Sequence, residues 1–156
     1  MVGLLSTRDI DYLITVYEHC TFKGTARVVD VAKALGVSKS TASLMIKKLV
    51  KWGLIERVGR GIRLTKEGID LCLEIIWRHG VIESALTRLG LSVEEACHVA
   101  RDIELSIPKH IVDKLWCLLG RPFRCPHGEL IVAGSGRGRP TCTCRFNVVR
   151  KQCIAE

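Results

Sequence analysis

The chain has 156 residues, of which 47% are hydrophobic, and a formal net charge of +8. Such a length can bury a core and holds one domain or two small ones. The sequence has no run of about 18 apolar residues and no N-terminal basic region followed by a small-residue cleavage site. It therefore predicts a soluble, cytoplasmic protein and no membrane partner.

Charge and cysteine content divide the chain into segments of different chemistry. Residues 1–65 have a net charge of +6, residues 66–120 of −3 and residues 121–156 of +5. An acidic middle between basic ends suits a separate module that holds a cation or a partner. Eight cysteines are many for this compartment, so either several bind metal or the source is a hyperthermophile that oxidises intracellular thiols.

The first predicted helix runs from Ser6 to about His19. Ser6 and Asp9 can form a capping box at its start, and apolar residues follow at helical spacing. Asp11 lies near this apolar stripe. An aspartate there is usually just solvated, so by itself it indicates no function.

A helix-turn-helix is predicted next, over residues 31–51. A short apolar-periodic segment stops at Gly36, and Ser38 can cap a second helix whose apolar residues recur at the spacing of one buried face. After Gly53 the period changes from 3.6 to 2, which predicts two short strands around a glycine turn. This order is that of a winged helix, which places its second helix in the major groove of DNA and its wing on the phosphates.

Hydroxyl and basic side chains lie where base edges and phosphates would be met. The alternatives are a structural helical hairpin and a winged helix used only for protein contacts, and the concentration of lysines and hydroxyls argues against both. We predict that these residues contact DNA: Ser38, Lys39, Ser40, Thr41, Ser43, Lys47, Lys48, Arg57, Arg60 and Arg63.

A long helix is predicted from Thr65 to about Leu89. It carries His79 and Glu83, which are four residues apart and therefore share a face. Such a pair can chelate a metal ion, but it also arises as a plain surface hydrogen bond.

The following helix begins at a capping box over residues 92–95 and should reach Glu104. Cys97 and Glu104 lie two turns apart on one face of it, which favours a metal site. The alternative is a buried cysteine beside a solvated acidic face. A last helix, from Pro108 to Gly120, has an apolar surface wide enough to cover more than its own subunit. We predict a homodimer contact through helix 108–119.

The C-terminal part contains two more pairs of metal-ligating residues. Cys125 and His127 precede a basic glycine-rich linker, and Cys142 and Cys144 share one face of a predicted strand. The two pairs could supply four tetrahedral ligands to zinc, although the spacing matches no strong zinc finger. The alternative is a short strand with incidental thiols.

Catalytic motifs are lacking in the sequence. It has no phosphate loop, nucleophile elbow, His-Glu-x-x-His or deaminase pattern. A small zinc enzyme would also need an open coordination position beside a general base. We therefore predict that the protein is not an enzyme.

Taken together, the motifs resemble the diphtheria-toxin-repressor family of iron- and manganese-dependent transcriptional regulators. The likeness spans about residues 6–131 and is carried by DYL at 11–13, VSKSTASLMIKKL at 37–49, GIRLTKEG at 61–68, RHGVIE at 78–83 and CPHG at 125–128. It implies a second domain that binds a divalent metal, dimerises and spaces two winged helices on a palindromic operator in double-stranded DNA. No counterpart of the family's SH3-like third domain is expected.

The resemblance also implies metal ligands, carried over position by position: Asp11, His79, Glu83, Cys97 and Glu104. Cys97 takes the place of a family histidine. Three departures stand beside these matches. Arg101 and Leu105 occupy positions of usual ligands, and Ile14 replaces a carboxylate of the manganese-sensing branch. Because these side chains cannot ligate, the primary iron or manganese site is expected to be degraded.

The surviving candidates mix thiolate, imidazole and carboxylate groups. They are His79, Glu83 and Cys97, joined by Glu104, Cys125 or His127. This mixture suits zinc better than manganese, with iron and manganese as the alternative cofactors.

The predicted fold class is mainly α. A winged helix-turn-helix occupies residues 1–65, an α-helical dimerisation and metal-binding domain residues 66–131, and a Gly/Arg linker with a short irregular or β tail residues 132–156. The predicted function is that of a homodimeric, metal-binding transcriptional repressor. The alternative is a metal-independent or thiol-responsive winged-helix regulator with a purely structural zinc site.

Overall fold

The computed structural model describes residues 5–128 and residue 131. Its elements follow in this order: α1 (Thr7–Lys23), α2 (Val28–Ala34), α3 (Lys39–Lys51), β1 (Ile55–Val58), β2 (Gly61–Leu64), α4 (Lys66–Arg88), α5 (Val93–Ile103) and α6 (Lys109–Leu118). The chain is mainly helical, as predicted. None of the helices in the described ranges combines the length and the apolar content needed to cross a bilayer.

Two compact units make up the chain, and helix α4 contributes to both. The first, the winged-helix unit, is Leu5–Cys72, and the second, the helical unit, comprises the described residues from Leu73 onward. The division falls inside α4. A continuous helix has no break in its local pattern that would mark such a division.

Helix α1 begins as its sequence predicts. The Ser6 hydroxyl accepts a hydrogen bond from the Asp9 amide, and the Asp9 carboxylate accepts one from the Ser6 amide, which completes the capping box. The helix extends to Lys23, past the predicted end near His19. The predicted end is too early because residues 20–23 do not continue the apolar period. Gly24 terminates it with φ 75°, a conformation that glycine adopts without strain.

Helices α2 and α3 form the predicted helix-turn-helix. Gly36 has φ 64° in the turn between them, and the Ser38 hydroxyl caps α3 by accepting from the Thr41 amide at 3.1 Å. The buried side of α3 carries Ala42, Ile46 and Leu49. This burial leaves the opposite side of the helix exposed.

The wing is a two-stranded antiparallel hairpin. Ile55 pairs with Leu64 and Val58 with Gly61, which leaves a two-residue turn. In β2 the buried Ile62 and Leu64 alternate with the exposed Arg63, as the period of a strand requires, whereas in β1 Ile55 is buried and both Arg57 and Val58 are exposed. Ala26 adds an isolated bridge to Ile62 through two hydrogen bonds of 2.8 Å. The wing is thereby fixed to the loop before α2.

A buried ion pair joins α1 to α3 inside the winged-helix unit. The Lys48 ammonium donates to both carboxylate oxygens of Asp9, at 2.7 and 2.9 Å. The Asp9 side chain is 1% exposed and that of Lys48 41% exposed. Burial alone would raise the pKa of Asp9, but the hydrogen bonds from Lys48 and Ser6 outweigh it and hold the pKa below its usual 3.8. Asp9 is therefore charged in the folded protein at neutral pH.

This ion pair predicts a pH dependence of stability. A carboxylate with a lowered folded pKa stabilises the fold above its unfolded pKa of 3.8, and the contribution is lost as the pH falls through the folded value. We expect Asp9→Asn to be less stable than the wild type at pH 6, by roughly 2 to 3 kcal/mol because Lys48 is partly solvated. The difference should shrink below about pH 4 in urea unfolding followed by circular dichroism.

The matched control is Asp30→Asn, which removes an exposed ion pair to Arg27. Exposed pairs contribute less than about 1 kcal/mol. A difference between Asp9→Asn and the wild type that stays constant down to the lowest pH would contradict the ion-pair explanation.

The helical unit is built on the second half of α4. A second capping box, Ser92 with Glu95, starts α5, and Pro108 precedes α6. Trp77 of α4 and Trp116 of α6 meet edge to face with ring centroids 6.1 Å apart. The buried apolar residues described in the unit are Ile75, Ile76, Trp77, Val81, Ile82, Ala96, Cys97, Ala100, Val112, Cys125 and Ile131.

The segment after α6 packs back onto α4. We call residues 121–128 together with Ile131 the C-terminal segment. Ile131 is 1% exposed, and its amide donates to the Phe123 carbonyl at 2.9 Å. A Cβ atom added to Gly80 of α4 would lie 2.0 Å from Ile131 Cγ2. The absence of a side chain at Gly80 therefore allows the C-terminal segment to lie against the helix.

Candidate metal centre and DNA-binding surface

His79 is the buried centre of a polar cluster in the helical unit. Its Nδ1 donates to Glu104 Oε2 at 2.9 Å. Its Nε2 lies 3.4 Å from Cys97 Sγ and 3.9 Å from Glu83 Oε2. Glu104, at the C-terminal end of α5, thus holds the ring so that Nε2 faces a thiol and a carboxyl group.

A second group of ligands adjoins the first through Glu83. Glu83 is buried, and its Oε1 shares a hydrogen bond of 2.5 Å with His127 Nδ1. The ligand atoms of Glu83, Cys125 and His127 all lie within 4.8 Å of one another. Glu83 therefore connects the residues of α4 and α5 with those of the C-terminal segment.

Burial and neighbouring groups shift two pKa values in this cluster. Burial would lower the pKa of His79, but its contacts with Cys97 and Glu104 raise that pKa to about 9. Burial and the nearby Cys125 thiol raise the pKa of Glu83 to about 7, against the opposing effect of His79 and His127. Metal-free protein thus holds protons at this cluster near neutral pH, and a bound metal ion would have to replace them.

Arg78 supports the cluster from the neighbouring position on α4. Its guanidinium, 6% exposed, pairs with Glu74 at 2.8 Å. The same group donates to the carbonyl oxygens of Glu104 at 3.3 Å and Ile107 at 2.8 Å. Arg78 thereby fixes the turn after α5, from which the Glu104 carboxylate reaches His79.

Of the nine residues predicted as metal ligands, the structure brings six together in the helical unit: His79, Glu83, Cys97, Glu104, Cys125 and His127. Glu104 bonds to the Nδ1 side of the ring, a position that orients a ligand. Asp11 is buried on α1 of the winged-helix unit, and its metal role stays a prediction. Cys142 and Cys144 lie outside the described residues.

Most of the predicted DNA-contacting residues are exposed. Lys39, Ser40 and Lys47 are exposed on α3, and Arg57 and Arg60 are exposed on the wing. Helix α3 carries no acidic residue. These side chains give the winged-helix unit a cationic outer surface.

Several of the predicted contact residues already bond to other side chains of the winged-helix unit. Ser38 caps α3, and its hydroxyl lies 2.8 Å from the hydroxyls of Ser40 and Thr41. Lys48 is held by Asp9, and Arg63 pairs with Glu56 at 2.6 Å across the hairpin. Ser43 is half-buried. Spacing along a helix does not reveal such pairings, because Asp9 and Lys48 are remote in sequence.

Two residues that position the candidate metal centre, Gly80 and Arg78, have no predicted role. Gly80 lies between His79 and Glu83 in a long helix, and an isolated glycine in a helical pattern is a signal for close packing. Arg78 interrupts an apolar stretch of α4, and a charged residue there signals a buried pairing. Both signals are present in the sequence, but neither indicates which residue packs against Gly80 or pairs with Arg78.

The chain joins a winged helix, which is a DNA-binding fold, to a helical unit that gathers imidazole, thiol and carboxylate groups, the side chains that bind transition metals. Two family models match the chain in agreement with this. The DNA-binding domain of iron-dependent repressors matches residues 4–61, and their metal-binding and dimerisation domain matches residues 65–133.

The chain is also similar to individual relatives and solved structures. The transcriptional regulator MntR of Escherichia coli O157:H7 is 38% identical over 119 residues, which are 76% of this chain and 74% of that protein. The solved structure of the hypothetical protein SSo2273 from Sulfolobus solfataricus has a TM-score of 0.75 and a sequence identity of 31% to this chain. The match covers 83% of this chain and 100% of that chain. The structure of ScaR with bound Zn²⁺ is 32% identical with a TM-score of 0.68, over 80% of this chain and 59% of that one.

The chain belongs to the iron-dependent repressor family of DNA-binding transcriptional regulators. The predictions of fold class, of family and of a protein that is not an enzyme are confirmed.

Proposed function

We propose that this protein is a homodimeric repressor whose binding to a palindromic operator depends on zinc held at the His79 cluster. The observation that carries the proposal is the convergence of His79 and Glu83 from α4, Cys97 from α5 and Cys125 and His127 from the C-terminal segment. As a DNA-binding regulator it would act in the cytoplasm.

The chemistry of the donor atoms supports zinc. The cluster offers two thiols, two imidazoles and one carboxylate, of which a tetrahedral site needs four. Manganese prefers oxygen ligands, and thiolates favour zinc or iron. The relative ScaR, crystallised with bound Zn²⁺, has a related fold. The carboxylate of Glu104 would orient His79 as a ligand by accepting from its other nitrogen.

The ligands join three parts of the helical unit that are separate in sequence. When bound, the ion would supply the attraction that holds α4, α5 and the C-terminal segment in one arrangement. The ion would favour this arrangement only because it binds this arrangement more tightly than the alternative ones. Helix α4 also contributes to the winged-helix unit, so the residues that hold the ion and those that support the wing share one helix.

For the dimer contact, we propose the outer surface of α6. Ile111 is 37% exposed and Leu118 81% exposed on this helix, and Leu89 at the end of α4 is 79% exposed. Exposed apolar residues grouped in this way mark an interaction surface. A two-fold dimer would present two copies of α3 to two half-sites of a palindrome.

The test is a zinc titration of metal-stripped, full-length protein. The DNA is a duplex selected from a random library by the zinc-loaded protein, and binding is followed by fluorescence anisotropy. We expect zinc to tighten DNA binding by at least about tenfold, within the usual range of coupling between two sites. Equal affinity of stripped and loaded protein would overturn metal dependence and leave a structural zinc site. A larger effect of manganese would overturn the choice of metal.

A further inference from the structure

One large apolar side chain lies on the outer side of α3. Leu44 is 67% exposed, whereas the apolar residues that hold α3 in the unit, Ala42, Ile46 and Leu49, are all buried. Single exposed leucines are common on protein surfaces. What distinguishes Leu44 is its position on the helix.

Helical spacing places Leu44 among polar and basic side chains. Ser40 lies four residues before it and Lys47 three residues after it, which are the neighbouring positions on one face of a helix. Both are exposed, as is Lys51 one turn further on. Leu44 is thus an apolar side chain surrounded by hydroxyl and ammonium groups, on a helix with no acidic residue. Such a surface is complementary to a polyanion that presents an apolar group.

The major groove of DNA has that chemistry. Its rim is lined by phosphates, and the C5 methyl group of thymine is the apolar group presented on its floor. An isobutyl side chain can neither donate nor accept a hydrogen bond, so it cannot read the polar edge of any base. It can only contact the methyl group.

We infer that Leu44 determines sequence specificity by contacting the C5 methyl group of a thymine in each half-site. The inference rests on the proposed function, in which α3 enters the major groove. Flanking contacts from Lys39 and Lys47 would go to phosphates and fix the helix in the groove without reading sequence. Leu44 would then discriminate thymine from cytosine, which lacks the methyl group.

The test replaces thymine by deoxyuridine, which lacks only the methyl group. Full-length, zinc-loaded protein first selects duplexes from a random library, and each thymine of the enriched sequence is then replaced in turn. We expect one replacement in each half-site to weaken binding by the wild type about fourfold, the effect of one buried methyl-sized group. Leu44→Ala should bind the thymine and deoxyuridine duplexes with equal affinity.

The control variant is Val29→Ala, which removes an exposed apolar side chain from α2 and keeps Leu44. It should retain the fourfold effect of deoxyuridine. If the wild type discriminates at no thymine, or if Leu44→Ala keeps the discrimination, the inference is overturned while DNA binding stands. If selection enriches no sequence, the proposed function fails and the inference fails with it.

Discussion

Glu83→Gln is expected to lower zinc affinity by more than about 100-fold, since loss of a residue that only supports a ligand already costs 10- to 100-fold. Glu83 is buried at the centre of the cluster, between His79 Nε2 at 3.9 Å and the group formed by Cys125 and His127. Glutamine keeps the shape of the side chain but has no negative charge. Its amide nitrogen would also point a donor at a ligand or at the ion.

The same substitution should leave the metal-free fold intact. Because the pKa of Glu83 is raised to about 7, the pocket already accommodates an uncharged side chain near neutral pH. We therefore expect the unfolding free energy of the stripped protein to change by less than about 1 kcal/mol. Zinc affinity is measured by competition with a chromogenic chelator, and stability by urea unfolding.

The control is Glu94→Gln, the same change at an exposed residue of α5. It should bind zinc as the wild type does. Wild-type zinc affinity in Glu83→Gln would remove Glu83 from the ligand set. A loss of stability in stripped Glu83→Gln as large as the loss of affinity would indicate a role in folding only.

Gly80→Ala is expected to destabilise the helical unit by about 1 to 3 kcal/mol, the range for overpacking a core. The new methyl group would lie 2.0 Å from Ile131 Cγ2, so the C-terminal segment has to move. Since Cys125 and His127 belong to this segment, zinc affinity should fall as well. Alanine is otherwise the better helix former by up to about 1 kcal/mol.

The double variant Gly80→Ala with Ile131→Ala distinguishes this clash from other effects. Ile131→Ala removes Cγ2, the atom nearest to the new methyl group, and leaves Cβ at 3.1 Å from it; by itself it costs about 2 to 4 kcal/mol through lost burial. In that background Gly80→Ala should destabilise the protein much less than it does alone. Thermal unfolding of the stripped protein measures all four members of the cycle. Equal effects of Gly80→Ala in both backgrounds would contradict contact between the two residues.

Local sequence signals predicted most of the secondary structure and the order of the elements. Capping boxes at Ser6 and Ser92 and the cap at Ser38 are present as predicted. These features depend on residues within one turn of each other, so a short stretch contains all the information. The end of α1 was predicted too early because the sequence near Lys23 has no apolar period.

The pairings inside each unit could not be predicted in the same way. The DNA role predicted for Lys48 from its place in a basic helix stays a prediction, and its ammonium group also bonds to Asp9, a pairing that the helix pattern does not indicate. Glu104 was a candidate ligand because of its spacing from Cys97, and it orients His79 through Nδ1. Which side chain meets which across two helices depends on how the helices pack, and local spacing contains no such information.

By itself, the sequence determined a winged helix, three further helices and the residues with the chemistry to hold a metal ion and DNA. Only the tertiary structure decided that Cys125 and His127 reach Glu83. The physical reason is the close approach at Gly80, where Ile131 occupies the space that a side chain would fill. This contact joins two residues that are far apart in the sequence, Gly80 and Ile131. It arises from the shape of packed surfaces rather than from any local pattern.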